Sequence, residues 1–217
     1  MKQCQHRETV LNRVSAYIVE HPFERLSLQG VADGCGLSLW QLRYNFGNAS
    51  HVFRAVAVQL IEKISRRLET PAETSGQVLD AIHSYAGFLA ELLRSAEYRD
   101  FLFLLLRNGK YHEWLESAYD RRIVSKACRQ LETIIARAGE KRNLSVALKP
   151  GAARRFYTQL ETELVLTSLL PAHRGHTPVD LEEFLRAAAK QAFEATYLFD
   201  WRTPSAASSH PPWSGSV

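Results

Sequence analysis

Four side chains within one short stretch, Trp40, Gln41, Arg43 and Tyr44, are the residues best suited to chemistry with an outside partner. Two aromatic planes, a forked guanidinium and a carboxamide are groups that read a nucleic acid. The guanidinium and amide can form paired hydrogen bonds to base edges or phosphates, and the rings offer apolar contact. At about 100° per residue, Trp40 and Tyr44 share one side of a helix, flanked by Gln41 and Arg43. Leu42 and Phe46 fall on the opposite side with Ser38 and Leu39. An outward tryptophan on a small helical unit calls for a partner.

Catalytic arrangements are missing from the sequence. It contains no hydrolase elbow, phosphate-cradling glycine loop or HExxH pair, and Glu161 and Glu163, two apart, cannot share a helix face. The cysteines Cys4, Cys35 and Cys128 are odd in number and lie in no metal-binding or disulfide spacing. The expectation is a protein that is not an enzyme, with no cofactor and no metal, and with Cys35 as a small core residue on an inward stripe.

Positioning that outer face requires a particular local architecture. Residues 27–46, SLQGVADGCGLSLWQLRYNF, read as two short helices meeting at a tight turn. Ser27 can cap the first, and Ala32 is small where the helices approach. Gly36 supplies a left-handed C-terminus, and Ser38 with Gln41 forms a capping box that restarts the chain. This is a helix-turn-helix signal. Before it, Val10, Leu11, Val14, Tyr17 and Ile18 form an apolar stripe ended by His21-Pro22. After it, Asn48 caps a long helix carrying Val52, Phe53, Val56, Leu60, Ile61, Ile64 and Leu68.

Helical periodicity continues beyond Pro71, over about 75–94, 97–107, 112–138, 151–170 and 180–199, and no alternating strand pattern interrupts it. Turn formers at 107–110, 139–143 and 171–178 separate these segments. The fold class is all-α: a three-helix head over 1–50, a helical regulatory and dimerisation domain over 51–200, about nine helices in total, and a Pro/Ser-rich disordered tail over 201–217. With 217 residues and 46% hydrophobic content the chain can bury a substantial core. Its net charge of +4 lies in residues 1–67. A long apolar run is absent, so the expectation is a cytoplasmic protein with no membrane partner.

The order of helix, short helix, Gly-Leu-Ser, helix ending in Phe, and Asn-capped long helix resembles the TetR family of transcriptional regulators. The resemblance covers residues 7 to about 62 by motif, and the remainder by helix count and length. It implies a DNA-binding repressor whose operator affinity is controlled by a small molecule in the C-terminal domain, and whose partners are a double-stranded DNA operator, a second copy of the chain and that small-molecule effector. Position by position, DNA contacts fall on Leu28 and Gln29 of the second helix, on Ser38, Leu39, Trp40, Gln41, Arg43, Tyr44 and Asn45 of the third, and on Asn48. The chain departs from the family's usual tyrosine at Arg43, histidine at Asn45 and lysine at Ala49. An alternative is that this altered helix docks a protein.

For the effector, the candidate residues are His83, Phe103, Tyr111, His112, Trp114 and Tyr157, which could line a pocket between helices. For the homodimer, the resemblance points to the last two long helices, with Phe156, Leu160, Leu164 and Thr167 on one and Leu181, Leu185, Ala188, Ala192 and Thr196 on the other.

Overall fold

The computed structural model describes residues 2–69, 77–109, 112–166 and 180–199. The helices are α1 (Lys2–Glu20), α2 (Leu28–Cys35), α3 (Leu39–Phe46), α4 (Ala49–Arg67), α5 (Val78–Leu93), α6 (Ala96–Asn108), α7 (Glu113–Tyr119), α8 (Ser125–Glu140), α9 (Ala152–Glu161) and α10 (Leu181–Glu194). A π turn, Asp120–Val124, joins α7 to α8 without a break, and a second, Thr162–Leu166, extends α9. The fold is therefore all-α apart from one small ribbon.

That ribbon corrects the sequence reading. The helix expected over 180–199 stops at Glu194, and β2 (Thr196–Phe199) pairs antiparallel with β1 (Ser145–Leu148), Ser145 opposite Phe199 and Leu148 opposite Thr196. Thr196, Tyr197 and Val146 are β-branched or aromatic, and such residues suit a pleated ribbon. The separator expected at 139–143 is also displaced, because α8 runs on to Glu140 and the chain turns at Asn143, whose φ is 56°. Gly139 belongs to the packing. A Cβ there would meet Leu144 O and Val146 Cγ2, each at 2.8 Å. The tail over 201–217, Tyr111 and Thr167 lie outside the described residues.

One continuous apolar core runs from Val10 in α1 to Ala192 in α10. α4 is central to it: Val52, Phe53, Val56, Ala57, Leu60, Ile61 and Ile64 are all buried, and the helix packs against α1 on one side and α6 on the other. Its far end is capped from α8. Lys126 Nζ donates to Ser65 O at 3.0 Å and to Glu69 Oε1 at 2.6 Å, placing a cation on the negative end of the helix.

The end of α6 ties the body to the head. Arg107 Nη1 donates to the Val19 and Glu20 carbonyls of α1, both at 2.8 Å, so it satisfies groups that the end of a helix leaves open. Asn108, fully buried, accepts from Phe23 N at 3.1 Å and donates to Leu104 O at 2.9 Å.

A polar cluster sits where the two π turns begin. Tyr98 OH shares a hydrogen bond with Tyr157 OH at 2.8 Å and donates to Glu161, and Tyr119 OH donates to Glu161 Oε1 at 2.6 Å. Burial pushes the Tyr98, Tyr119 and Tyr157 phenols above the usual range, reinforced in all three by the Glu161 carboxylate and, for Tyr98 and Tyr157, by neighbouring phenols, whereas the hydrogen bonds of Tyr119 with the other two rings pull it partly back. Tyr85 is raised in the same way by its own burial. The folded state therefore holds these protons more tightly than the unfolded chain, whose phenols titrate near pH ~10. Stability should be intact below that pH and fall as pH rises above it. Denaturant melts across the alkaline range check this, with phenolate absorbance from the four rings expected only as the chain unfolds.

Candidate nucleic-acid interface

The head is built from caps that its own sequence supplies. Ser27 Oγ accepts from Gly30 N at 3.0 Å at the start of α2, and Gly36, at φ 61°, ends it. Ser38 and Gln41 form a reciprocal capping box: Ser38 Oγ accepts from Gln41 N at 3.1 Å, and Gln41 Oε1 accepts from Ser38 N at 3.1 Å. Asn48 Oδ1 accepts from His51 N at 2.9 Å and opens α4. These caps set the angle at which α3 crosses α2.

With α3 so fixed, Leu42 is completely buried and Phe46 nearly so, whereas Trp40 is 70% and Tyr44 61% exposed. The two outward rings stack on each other, centroids 5.2 Å apart and planes 13° from parallel. Their stacking holds a flat aromatic surface outward before any partner arrives. Arg43 is exposed beside them, and its guanidinium makes no hydrogen bond or ion pair with any described residue. An unpaired guanidinium next to two preset rings can bind a phosphate or a guanine edge.

The remaining candidates are placed less uniformly. Gln41 is half-buried and its carboxamide oxygen serves the capping box. Asn45 donates back to Gln41 O at 2.7 Å, and Gln29 donates to Asp33 Oδ1 at 2.7 Å. Leu28 and Leu39 are half-buried and pack against the core. Ser38 and Asn48 are exposed at helix N-termini, where backbone N–H groups and the positive end of the helix favour an anion.

A supporting contact escaped the sequence reading. Tyr17 of α1 lies flat on α2 at Gly34, where a Cβ would come within 2.3 Å of the ring, so only glycine admits it there. The ring also stacks on His21 at 3.9 Å. Arg13 of α1 reaches the end of α2 as well, donating to Cys35 O at 3.2 Å. Cys35 itself is half-buried, and burial raises its thiol above the ordinary value.

The residues expected around an effector are spread over several elements. His83 on α5 lies 3.4 Å from Glu182 of α10, Phe103 on α6 sits beneath the Arg107 guanidinium, and Tyr157 belongs to the tyrosine cluster. Among the described candidates, only His112 and Trp114 come together, their rings 6.3 Å apart, and Trp114 lines a cleft of about 460 Å³ between α4 and α7. On the face expected to dimerise, Phe156, Leu160, Leu185, Ala188 and Ala192 are buried within the chain itself. A groove of about 400 Å³ between α9 and α10 nevertheless presents Arg155, Gln159, Gln191 and Ala195 at its rim. The apolar residues on these helices thus serve the chain's own core.

The helix-turn-helix head, the long α4 and the helical body together give the chain the fold of the TetR-family transcriptional regulators. It is similar to the TetR transcriptional regulator of Agrobacterium tumefaciens at 17% identity and a TM-score of 0.64, over 90% of this chain and 96% of its neighbour's length. It is also similar to NalD, the secondary repressor of the MexAB-OprM multidrug efflux pump in Pseudomonas aeruginosa, at 21% identity and a TM-score of 0.52, over 91% of this chain and 98% of NalD. No protein-family model and no curated protein sequence matches the chain.

Proposed function

We propose that the chain is a homodimeric DNA-binding transcription regulator of the cytoplasm, acting as a repressor that a small molecule releases. The observation that carries this reading is the outer face of α3: a stacked, exposed Trp40/Tyr44 pair beside an unpaired Arg43, on the second helix of a capped helix-turn-helix. Two such heads in a dimer would meet half-sites about 34 to 36 Å apart, or a multiple of that spacing. An effector bound in the body would favour one head spacing and DNA another, so each would weaken the other. NalD is the secondary repressor of a multidrug efflux pump, and the fold likeness supports repression here. No helix among the described residues is long and apolar enough to cross a membrane.

A gel shift against the DNA flanking the chain's own gene tests the proposal. Arg43→Ala should weaken binding by about 1 to 3 kcal/mol with a dependence on sequence if the guanidinium meets guanine. If it meets phosphate, binding should weaken alike on all DNA and the salt slope should drop by about one. A folded chain that shifts no DNA, with or without Arg43, would instead favour a protein-docking role for α3.

Dimerisation has its own check. Sedimentation at micromolar concentration should give twice the chain mass, and a monomer would remove two-half-site recognition.

A further inference from the structure

We propose that the cleft between α4 and α7 is a binding site for an organic anion with a flat apolar body. This deepens the effector part of the proposed function and rests on that reading only for its effect on DNA. The cleft, about 460 Å³, is of a size that holds a small ligand, and it is lined by Arg54, Val58 and Ile61 of α4, Trp114 and Ala118 of α7, and Arg121 and Arg122 of the π turn. The α4 residues follow an i, i+4, i+7 pattern, so they form one stripe facing the other helix.

The charge in this cleft is one-sided. Its lining has three guanidiniums and no carboxylate. Arg54 lies over the Trp114 ring with its guanidinium carbon 5.3 Å from the centroid, which holds that cation in place beside an aromatic wall. The Arg122 guanidinium has no hydrogen bond or ion pair with any described residue, and that of Arg121 reaches only its own helix, donating from Nε to Ser117 O at 3.3 Å. The one acid of this turn, Asp120, is held away by Arg154, 2.7 Å from its Oδ1.

Two arginines in succession line this cleft, and both lie on the π turn. On a regular α-helix neighbouring residues point about 100° apart and do not share a face. The wider turn at Asp120–Val124 changes that spacing, and both Arg121 and Arg122 line the space beside Trp114. Turns of this kind are frequent at functional sites. A carboxylate, sulfonate or phosphate would meet the guanidiniums, while Val58, Ile61, Ala118 and Trp114 would cover a planar apolar part. Because α4 also begins at the head, an occupied cleft would brace the head's supporting helix against the body.

Titration calorimetry on the full chain with 2-naphthoate, with its neutral counterpart 2-naphthylmethanol, and with inorganic phosphate tests the site. The carboxylate should bind saturably, and the alcohol and phosphate at least about tenfold more weakly, since a charge-assisted contact and the apolar wall are both required. R121Q/R122Q should weaken naphthoate by about tenfold or more while K149Q, at an exposed lysine elsewhere, leaves it unchanged. Should the double variant fold poorly, R54Q gives a second measurement with the same expected loss. Equal binding of acid and alcohol, unchanged binding by the folded arginine variants, or no saturable binding would each overturn the site. The titration contains no DNA, so naphthoate binding by a chain that shifts no DNA would support the site and count against the DNA-binding reading alone.

Discussion

Trp40→Ala should abolish specific DNA binding and leave the fold almost untouched. The ring is 70% exposed, so its removal should change stability by no more than about 0.5 kcal/mol. It also frees Tyr44 from its stacking partner, which removes the preset surface along with the larger ring. Leu42→Ala, two residues on, should do the reverse. Leu42 has no exposed surface, and truncating such a side chain costs about 2 to 5 kcal/mol through lost burial and the cavity left behind. Circular dichroism, thermal melts and gel shifts on both variants decide the matter. An unfolded Trp40→Ala head with a silent Leu42→Ala would invert the assigned faces of α3.

Asn108→Ala should destabilise the whole chain by about 1 to 3 kcal/mol, although the residue touches no proposed ligand. Its carboxamide oxygen is the acceptor for Phe23 N, and it is fully buried, so truncation leaves that donor without its partner beside a small void. Arg107→Ala should cost less, because its guanidinium is exposed and water can replace it at the Val19 and Glu20 carbonyls. Denaturant unfolding followed by both tryptophan emission and circular dichroism checks the ranking. If Asn108→Ala melts like the parent chain, the contact between α6 and the Phe23 turn contributes nothing to stability.

Much of the head was legible because its signals are local. Ser27, Gly36, the Ser38/Gln41 box and Asn48 each act within a few residues, and the helical period separates Trp40 and Tyr44 from Leu42 and Phe46. The contacts that lock the head together were not legible. Tyr17 meets Gly34 across two helices, and Asn108 meets Phe23 across 85 positions of sequence, so neither pairing leaves a local pattern. The two π turns likewise keep helical periodicity nearly intact while changing what it points at. The ribbon of Ser145–Leu148 with Thr196–Phe199 involves only four residues a side, too few for alternation to stand out beside long helices. In the body, aromatic type alone could not separate a core ring such as Tyr157 from a cleft wall such as Trp114.

The shared core has a consequence for how such chains diversify. Because α4 packs against α1 and α6 alike, the helix-turn-helix head is not a cassette that can be cut out at residue 50 and fused to another body. A working chimera would have to carry α1 to α4 as a block and match the Arg107-Asn108 end of α6 to it. On the proposed function, new operator preferences would be reached more readily by exchanging the few outward residues of α3 than by recombination, and a body mutation that weakens the shared core would be felt at the head as well.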